Sequence, residues 1–129
     1  MPSLTVHAGG LTLRNPVMLA AGILGTTGAS LRRAALAGAG GVVTKSLGSV
    51  PRDGHPGPTI VQVDCGLLNA MGLPNPSYKK FQEEIDIART GGVPVVASIF
   101  GSSAEEFAGI ARGLDADAFE LNLSCPHAE

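Results

Sequence analysis

Cysteine is scarce in this chain, and the two that occur, Cys65 and Cys125, are far apart with no CxxC pair and no histidine at ligand spacing. That pattern excludes a structural zinc site or a disulfide framework and fits reduced thiols in a cytosolic compartment. No metal site is expected. Charge is also sparse: 16% of the 129 residues are charged, with a net charge of -2. Nothing therefore points to a nucleic-acid or acidic-membrane surface. The N-terminus, Met1-Pro-Ser-Leu-Thr-Val-His7, has no basic region followed by an apolar core, so no signal peptide is expected. No apolar run reaches the roughly 18 residues that a membrane span requires.

What is abundant is apolar residue (44%) and glycine (18), the glycines dispersed between apolar runs as turns would be. The chain is long enough for one modest domain with a real core. Leu4–His7 and Leu11–Leu13, around Gly9-Gly10, predict a small hairpin. Val17–Ala21 is a continuous apolar run suited to a strand buried on both faces. Ser30 is a candidate helix cap, with Leu31, Ala34 and Ala35 on one face and Gly38 and Gly40 as the stop. Gly41–Lys45 predicts the second buried strand.

The Gly- and Pro-rich segment 46–76 interrupts the rhythm, with Thr59–Val63 as a strand or hairpin arm within it. A loop this long in a compact domain is more often functional than decorative. Asn75-Pro76 predicts a helix start, followed by Tyr78, Phe81, Ile85 and Ala88 on one face. Val93–Phe100 predicts a third buried strand. Ser103-Ala-Glu-Glu106 is a capping box that opens a helix with Phe107, Ile110 and Ala111 inward. Ala118–Leu123 predicts a fourth buried strand. A hairpin, three strand–helix units and a further strand argue for a parallel α/β sheet. Four such strands are about half of an eightfold barrel, which usually takes roughly 250 residues. Residues 1–129 are thus expected to be the first half of a longer protein. An open doubly wound sheet is the structural alternative.

Small or polar residues collect at the predicted strand ends: Ala21-Gly22, Lys45-Ser46, Ser98, and Asn122 through Cys125. In parallel α/β folds chemistry sits at the carboxyl ends of strands. Lys45 closes an apolar strand, a costly place for a cation unless it faces an open site or an anion; the alternative is a lysine snorkelling to the rim. Cys125 follows a strand end directly and precedes proline, against the usual fate of a lone cysteine as a buried structural thiol. Cys65 has no such context and reads as structural. His7 and His55 read as solvated surface residues. Gly22, Gly25 and Gly28 follow a strand, but their spacing is not the dinucleotide fingerprint.

The loop motif Asn69-Ala-Met-Gly-Leu-Pro-Asn75 offers asparagine side chains that both donate and accept, which suits an amide- or imide-bearing ring. Backbone amides around Met71, Gly72 and Leu73 could hold a carboxylate, Gly72 permitting close approach. A plain turn with a helix cap fits the same residues.

Taken in order, Asn15-Pro-Val-Met-Leu-Ala-Ala-Gly22, Thr44-Lys-Ser46, Leu68-Asn-Ala-Met-Gly-Leu-Pro-Asn-Pro76 and Asn122-Leu-Ser-Cys-Pro126 resemble class 1 dihydroorotate dehydrogenases. The resemblance implies a (β/α)8 TIM barrel that binds FMN, of which residues 1–129 form the N-terminal part of a single domain. It implies oxidation of dihydroorotate to orotate in pyrimidine (UMP) biosynthesis, in the cytoplasm. Cys125 would be the general base for the C5 proton while hydride passes from C6 to FMN. A free thiol ionises near pH 8.5, so it must be drawn toward thiolate. Lys45 would serve catalysis, cofactor and substrate at once, offsetting negative charge. Ala21, Gly22, Ser46, Ser98 and Asn122 would line the FMN. Asn69, Ala70, Met71, Gly72, Leu73 and Asn122 would hold the substrate.

Cysteine rather than serine at position 125 resembles the soluble class. His127 stands where many of the family carry asparagine, and Ala21 where a hydroxyl residue is frequent. The implied partners are dihydroorotate and orotate, a second copy in a homodimer, and an FAD- and iron–sulfur-bearing electron-transfer subunit. The alternatives are another FMN barrel acting on a dihydropyrimidine, or a non-catalytic half-barrel. The family's FMN phosphate site lies in the C-terminal strands, so these residues alone are expected to bind FMN weakly or not at all.

Overall fold

The structure, a computed structural model, describes residues 3–125. His127, and the proline after Cys125, lie outside the described residues. Strands β1 (Val6–Ala8) and β2 (Leu11–Leu13) form the expected antiparallel hairpin, with Gly9 and Gly10 at positive φ in the turn.

Four strands then form one parallel sheet: β3 (Met18–Leu19), β4 (Gly41–Val43), β7 (Val95–Ile99) and β8 (Ala118–Leu121), neighbours in chain order. Strands β5 (Ile60–Val63) and β6 (Gly66–Asn69) form a separate antiparallel hairpin inside the long loop. Helices α1 (Gly28–Leu36), α2 (Gln82–Arg89) and α3 (Ala104–Arg112) each precede the next strand of the parallel sheet. Sheet order follows chain order without reversal, unlike a doubly wound sheet, whose order reverses at a switch point.

The core lies between the sheet and its helices. Leu31 and Ala35 of α1, Phe81 before α2, Ile85 and Ala88 within it, and Ile110 of α3 pack on Val42, Leu47, Val95, Ala97 and Ile99. The three- and four-residue spacings of these helix positions put them on one face. Strands β4 and β7 are buried throughout, consistent with continuous apolar runs flanked on both edges by neighbours. The edge strands differ from expectation. The run Val17–Ala21 contributes only two paired residues, with Val17 65% exposed, and β8 stops at Leu121, which is 53% exposed. Among the described residues each of these strands has a sheet neighbour on one side only, which leaves its apolar side chains less enclosed.

Two helix starts also differ. The α1 cap is Thr27, whose hydroxyl accepts from the Ser30 backbone N–H; Ser30 itself lies within the first turn. Asn75-Pro76 does not open α2. A 3-10 turn at Tyr78–Lys80, capped by Ser77, comes first, and α2 begins at Gln82. Asn75 is instead committed to the loop described below. The Ser103 cap holds as expected, accepting from the Glu106 N–H, while Glu106 reaches back to Ser102 rather than to Ser103. Cys65 sits exposed at the β5–β6 turn, so it is not the packed structural thiol expected.

Helices α1 and α2 meet closely because Gly28 has no side chain: a Cβ there would strike the Glu84 carbonyl oxygen. Gly109, mid-α3, has nothing within 4 Å of such a Cβ. Gly109→Ala is therefore expected to raise stability by about 0.5–1 kcal/mol through helix propensity alone. Gly28→Ala should lower it, despite the same propensity gain; paired urea unfolding curves check both signs.

Candidate active site

Past its last regular residue, β4 continues to pair with β7. Thr44 N–H donates to Val96 O (3.0 Å), Leu47 N–H to Ser98 O (2.9 Å), and Phe100 N–H to Leu47 O (3.0 Å). The parallel register then carries Asn122 alongside, its N–H donating to Ile99 O (2.8 Å). Lys45, Ser46, Ser98 and Asn122 thus stand side by side at the carboxyl ends of three adjacent strands.

A chain of side-chain hydrogen bonds links them. Asn122 Nδ2 donates to Ser46 Oγ (3.1 Å), and Ser46 Oγ and Ser98 Oγ share a bond at 2.9 Å. Ser98 N–H donates to Thr44 Oγ1 (3.0 Å), which itself donates to Lys45 O (3.0 Å). Thr44 and Ser98 are wholly buried, so unpaired hydroxyls there would be costly. Asn122 spends its amide nitrogen on Ser46, leaving its carbonyl oxygen with no partner among the described residues.

Lys45 is only 8% exposed and makes no ion pair with a carboxylate among the described residues. Its backbone N–H donates to Gly25 O at 2.8 Å, an approach that a Cβ on Gly25 would block. Burial pushes the Lys45 ammonium below its ordinary pKa, and the electrostatic influence of nearby Cys125 works in the opposite direction. The lysine does not snorkel to the rim.

Two cavities open above these strand ends. The first, about 420 Å³, is lined by Ala21, Gly22, Lys45, Ser46, Leu73, Asn122 and the half-buried Cys125, among others. The second, about 410 Å³, shares Ala21, Gly22 and Lys45 and adds Asn69 and Met71. Both fall in the size range of small-molecule sites. Asn69 and Asn122 therefore occupy neighbouring cavities that meet at Lys45. Ser98 lines neither and reaches the site through Ser46. Ala70 is exposed on the hairpin arm.

The 71–75 segment is pinned from behind. His55 N–H donates to Met71 O (3.0 Å), and Arg52 and Asn75 exchange backbone hydrogen bonds at 2.9 Å. A Cβ on Gly72 would strike His55, so the space that this glycine leaves is taken by His55 and not by a ligand. Leu73 and Ser77 adopt φ of 53° and 79°, a left-handed conformation that costs roughly 1–3 kcal/mol for residues with a side chain.

Sequence reasoning missed Thr44, Gly25 and the structural role of Asn75. Thr44 was visible as a polar residue one step before Lys45. Gly25 and Asn75 carry signals only through contacts distant in sequence. Among the described residues no cluster of three or more His, Cys, Asp or Glu is placed to hold a metal ion, and no helix is long and apolar enough to cross a membrane.

The desolvated ammonium makes a pH prediction. Lys45 binds its proton less tightly folded than unfolded, so folding is penalised below the folded pKa, and the penalty fades as pH rises toward the unfolded value of 10.5. Lys45→Met is expected to be more stable than the parent at pH 7, with the gap narrowing by pH 10. Thermal midpoints at both pH values check it.

Comparison with known proteins fits this arrangement. The family model described as dihydroorotate dehydrogenase matches residues 3–129. Relatives include the dihydroorotate dehydrogenase B (NAD(+)) catalytic subunits of Methanocella arvoryzae and Pyrococcus furiosus. The first is 61% identical over 127 residues, covering 98% of this chain and 42% of the relative. The second is 54% identical over 129 residues, covering 98% and 43%. The chain thus spans about two fifths of the length of these relatives. With its strand ends, buried lysine and cysteine in one place and this match along nearly its whole length, the chain belongs to the dihydroorotate dehydrogenase family.

Proposed function

We propose that the protein to which this chain belongs oxidises dihydroorotate to orotate, with FMN as hydride acceptor, in pyrimidine biosynthesis. The observation that carries this reading is that Lys45 and Cys125, from different strand ends, line one cavity with Asn122. The first half of a (β/α)8 barrel is the architecture this supports, since sheet order follows chain order and each helix crosses to the next strand.

The residues present fit FMN. Gly22, at φ 141°, has nothing within 4 Å of the Cβ position and so leaves an open cradle shared by both cavities. Lys45 offers a cation that pairs with no carboxylate among the described residues, and Ser46 and Asn122 offer hydroxyl and amide groups suited to ring nitrogens and carbonyls. FMN, when bound, supplies a two-electron acceptor for hydride.

The chain's own residues would do the rest. Cys125 Sγ, as thiolate, takes the C5 proton as the C5–C6 bond becomes double. Lys45 offsets negative charge in a site where low polarity makes a nearby cation effective. Asn122, oriented by Ser46, presents a carbonyl oxygen to a ring N–H, and Asn69 approaches from the adjoining cavity. Met71 and Leu73, with Gly72 held between them against His55, would bring backbone toward the substrate carboxylate. Ser98 acts by holding Ser46. The names of the relatives specify a catalytic subunit and NAD(+). These names support a partner subunit through which electrons pass to NAD; we propose further that this partner carries FAD and an iron–sulfur cluster and that the catalytic protein is a cytoplasmic homodimer.

Anaerobic mixing of the intact gene product with dihydroorotate tests this. Flavin absorbance is expected to bleach rapidly in the parent. In Cys125→Ala it should bleach about 10²–10⁴-fold more slowly, the usual worth of a positioned base. Bleaching unaffected by the mutation would remove Cys125 from its role; bound flavin that does not bleach in the parent would remove the substrate assignment.

A further inference from the structure

Among the described residues, Leu73 and Ser77 are the non-glycine residues at positive φ, and both are hydrogen-bonded to one side chain. Asn75 Nδ2 donates to Leu73 O at 2.9 Å, and Asn75 Oδ1 accepts from Ser77 N–H at 3.0 Å. The same oxygen accepts from Gly48 N–H at 3.2 Å, which fills its two lone pairs. Gly48 lies three residues beyond Lys45, on the loop leaving β4. Asn75 is 7% exposed, so these partners are not replaced by water at no cost.

Further bonds close the same junction. Tyr78 N–H donates to Gly48 O at 3.0 Å, and Ser77 Oγ donates to Ser49 O at 3.0 Å. The loop after Lys45 and the segment after Met71 therefore share a single hub. Leu73 lines the cavity that holds Lys45, Asn122 and Cys125; Asn75 does not, lining instead the neighbouring cleft with Arg52 and Phe81.

We propose that Asn75 is a positioning residue, whose carboxamide holds Leu73 in its left-handed conformation and thereby sets a wall of the cavity that Cys125 also lines. A side chain able to donate once and accept twice is required, which asparagine satisfies. Aspartate can accept from Gly48 and Ser77 but has no proton for Leu73 O. Alanine offers neither. This inference rests on the substrate assignment above, in that the ligand to be positioned is the pyrimidine carboxylate.

The test is orotate binding by calorimetry to the intact, FMN-loaded gene product, comparing the parent with Asn75→Asp and Asn75→Ala. Asn75→Asp keeps both accepting bonds but leaves Leu73 O without its donor and buries a charge, so its thermal midpoint is expected to fall while FMN content stays full. Its orotate Kd should rise about 3- to 10-fold, the worth of one hydrogen bond. Asn75→Ala should lose more affinity and also stability; if it fails to fold, the aspartate variant decides alone. A merely structural asparagine would change the midpoint and leave orotate binding alone. Orotate affinity in Asn75→Asp within about twofold of the parent, below what a lost hydrogen bond costs, overturns the proposal. A parent that holds FMN but does not bind orotate overturns the substrate assignment and this inference together, so the two failures are told apart by the parent alone.

Discussion

Burying an ammonium at the end of an apolar strand is the constraint on which the rest of this structure turns. Val42, Val43 and the buried Thr44 lead to Lys45, and no carboxylate among the described residues compensates the charge. A cation held this way carries a standing cost that packing alone does not justify. It makes sense where an anion or an electron-rich ring is to be received. The surroundings are organised accordingly: Gly25 lets its chain approach the Lys45 backbone, and the Thr44–Ser98–Ser46–Asn122 hydrogen bonds keep the neighbouring polar groups satisfied without competing for the ammonium.

Parallel pairing converts this local feature into a site. Strands in an antiparallel sheet would send successive ends to opposite edges, whereas here β3, β4, β7 and β8 deliver Gly22, Lys45, Ser98 and Asn122 to one edge. The long excursion between β4 and α2 then folds back over that edge and brings Asn69, Met71 and Leu73 against it. Strain at Leu73 and Ser77 is concentrated where the excursion turns back, as is common in functional segments. Rigid sheet and tethered loop together define the cavity walls.

Periodicity made the parallel sheet legible, because β4 and β7 are wholly buried runs dominated by apolar residues and the helices around them carry clear three- and four-residue spacing. The strand ends were legible for the same reason: polar residues that stop an apolar run stand out, as Lys45 and Cys125 do. Edge strands were overread, since a run such as Val17–Ala21 looks the same whether one or both of its sides are covered. Asn75-Pro76 illustrates a deeper limit. Its local pattern is that of a helix start, and only the long-range bond to Gly48 and the left-handed residues on either side reveal another use. Gly72 is similar: its permissive backbone was legible, but that His55 fills the space was not. The family resemblance came from four short motifs in order, which no periodicity could have supplied.

A crystal structure of the intact gene product with orotate bound tests the central claim most directly. The account predicts orotate between the Lys45 ammonium and the Cys125 thiol, with Asn122 at its ring and Leu73 at its edge. Orotate lodged instead in the cleft bounded by Thr26, Asp53 and Phe81, away from Cys125, would contradict it.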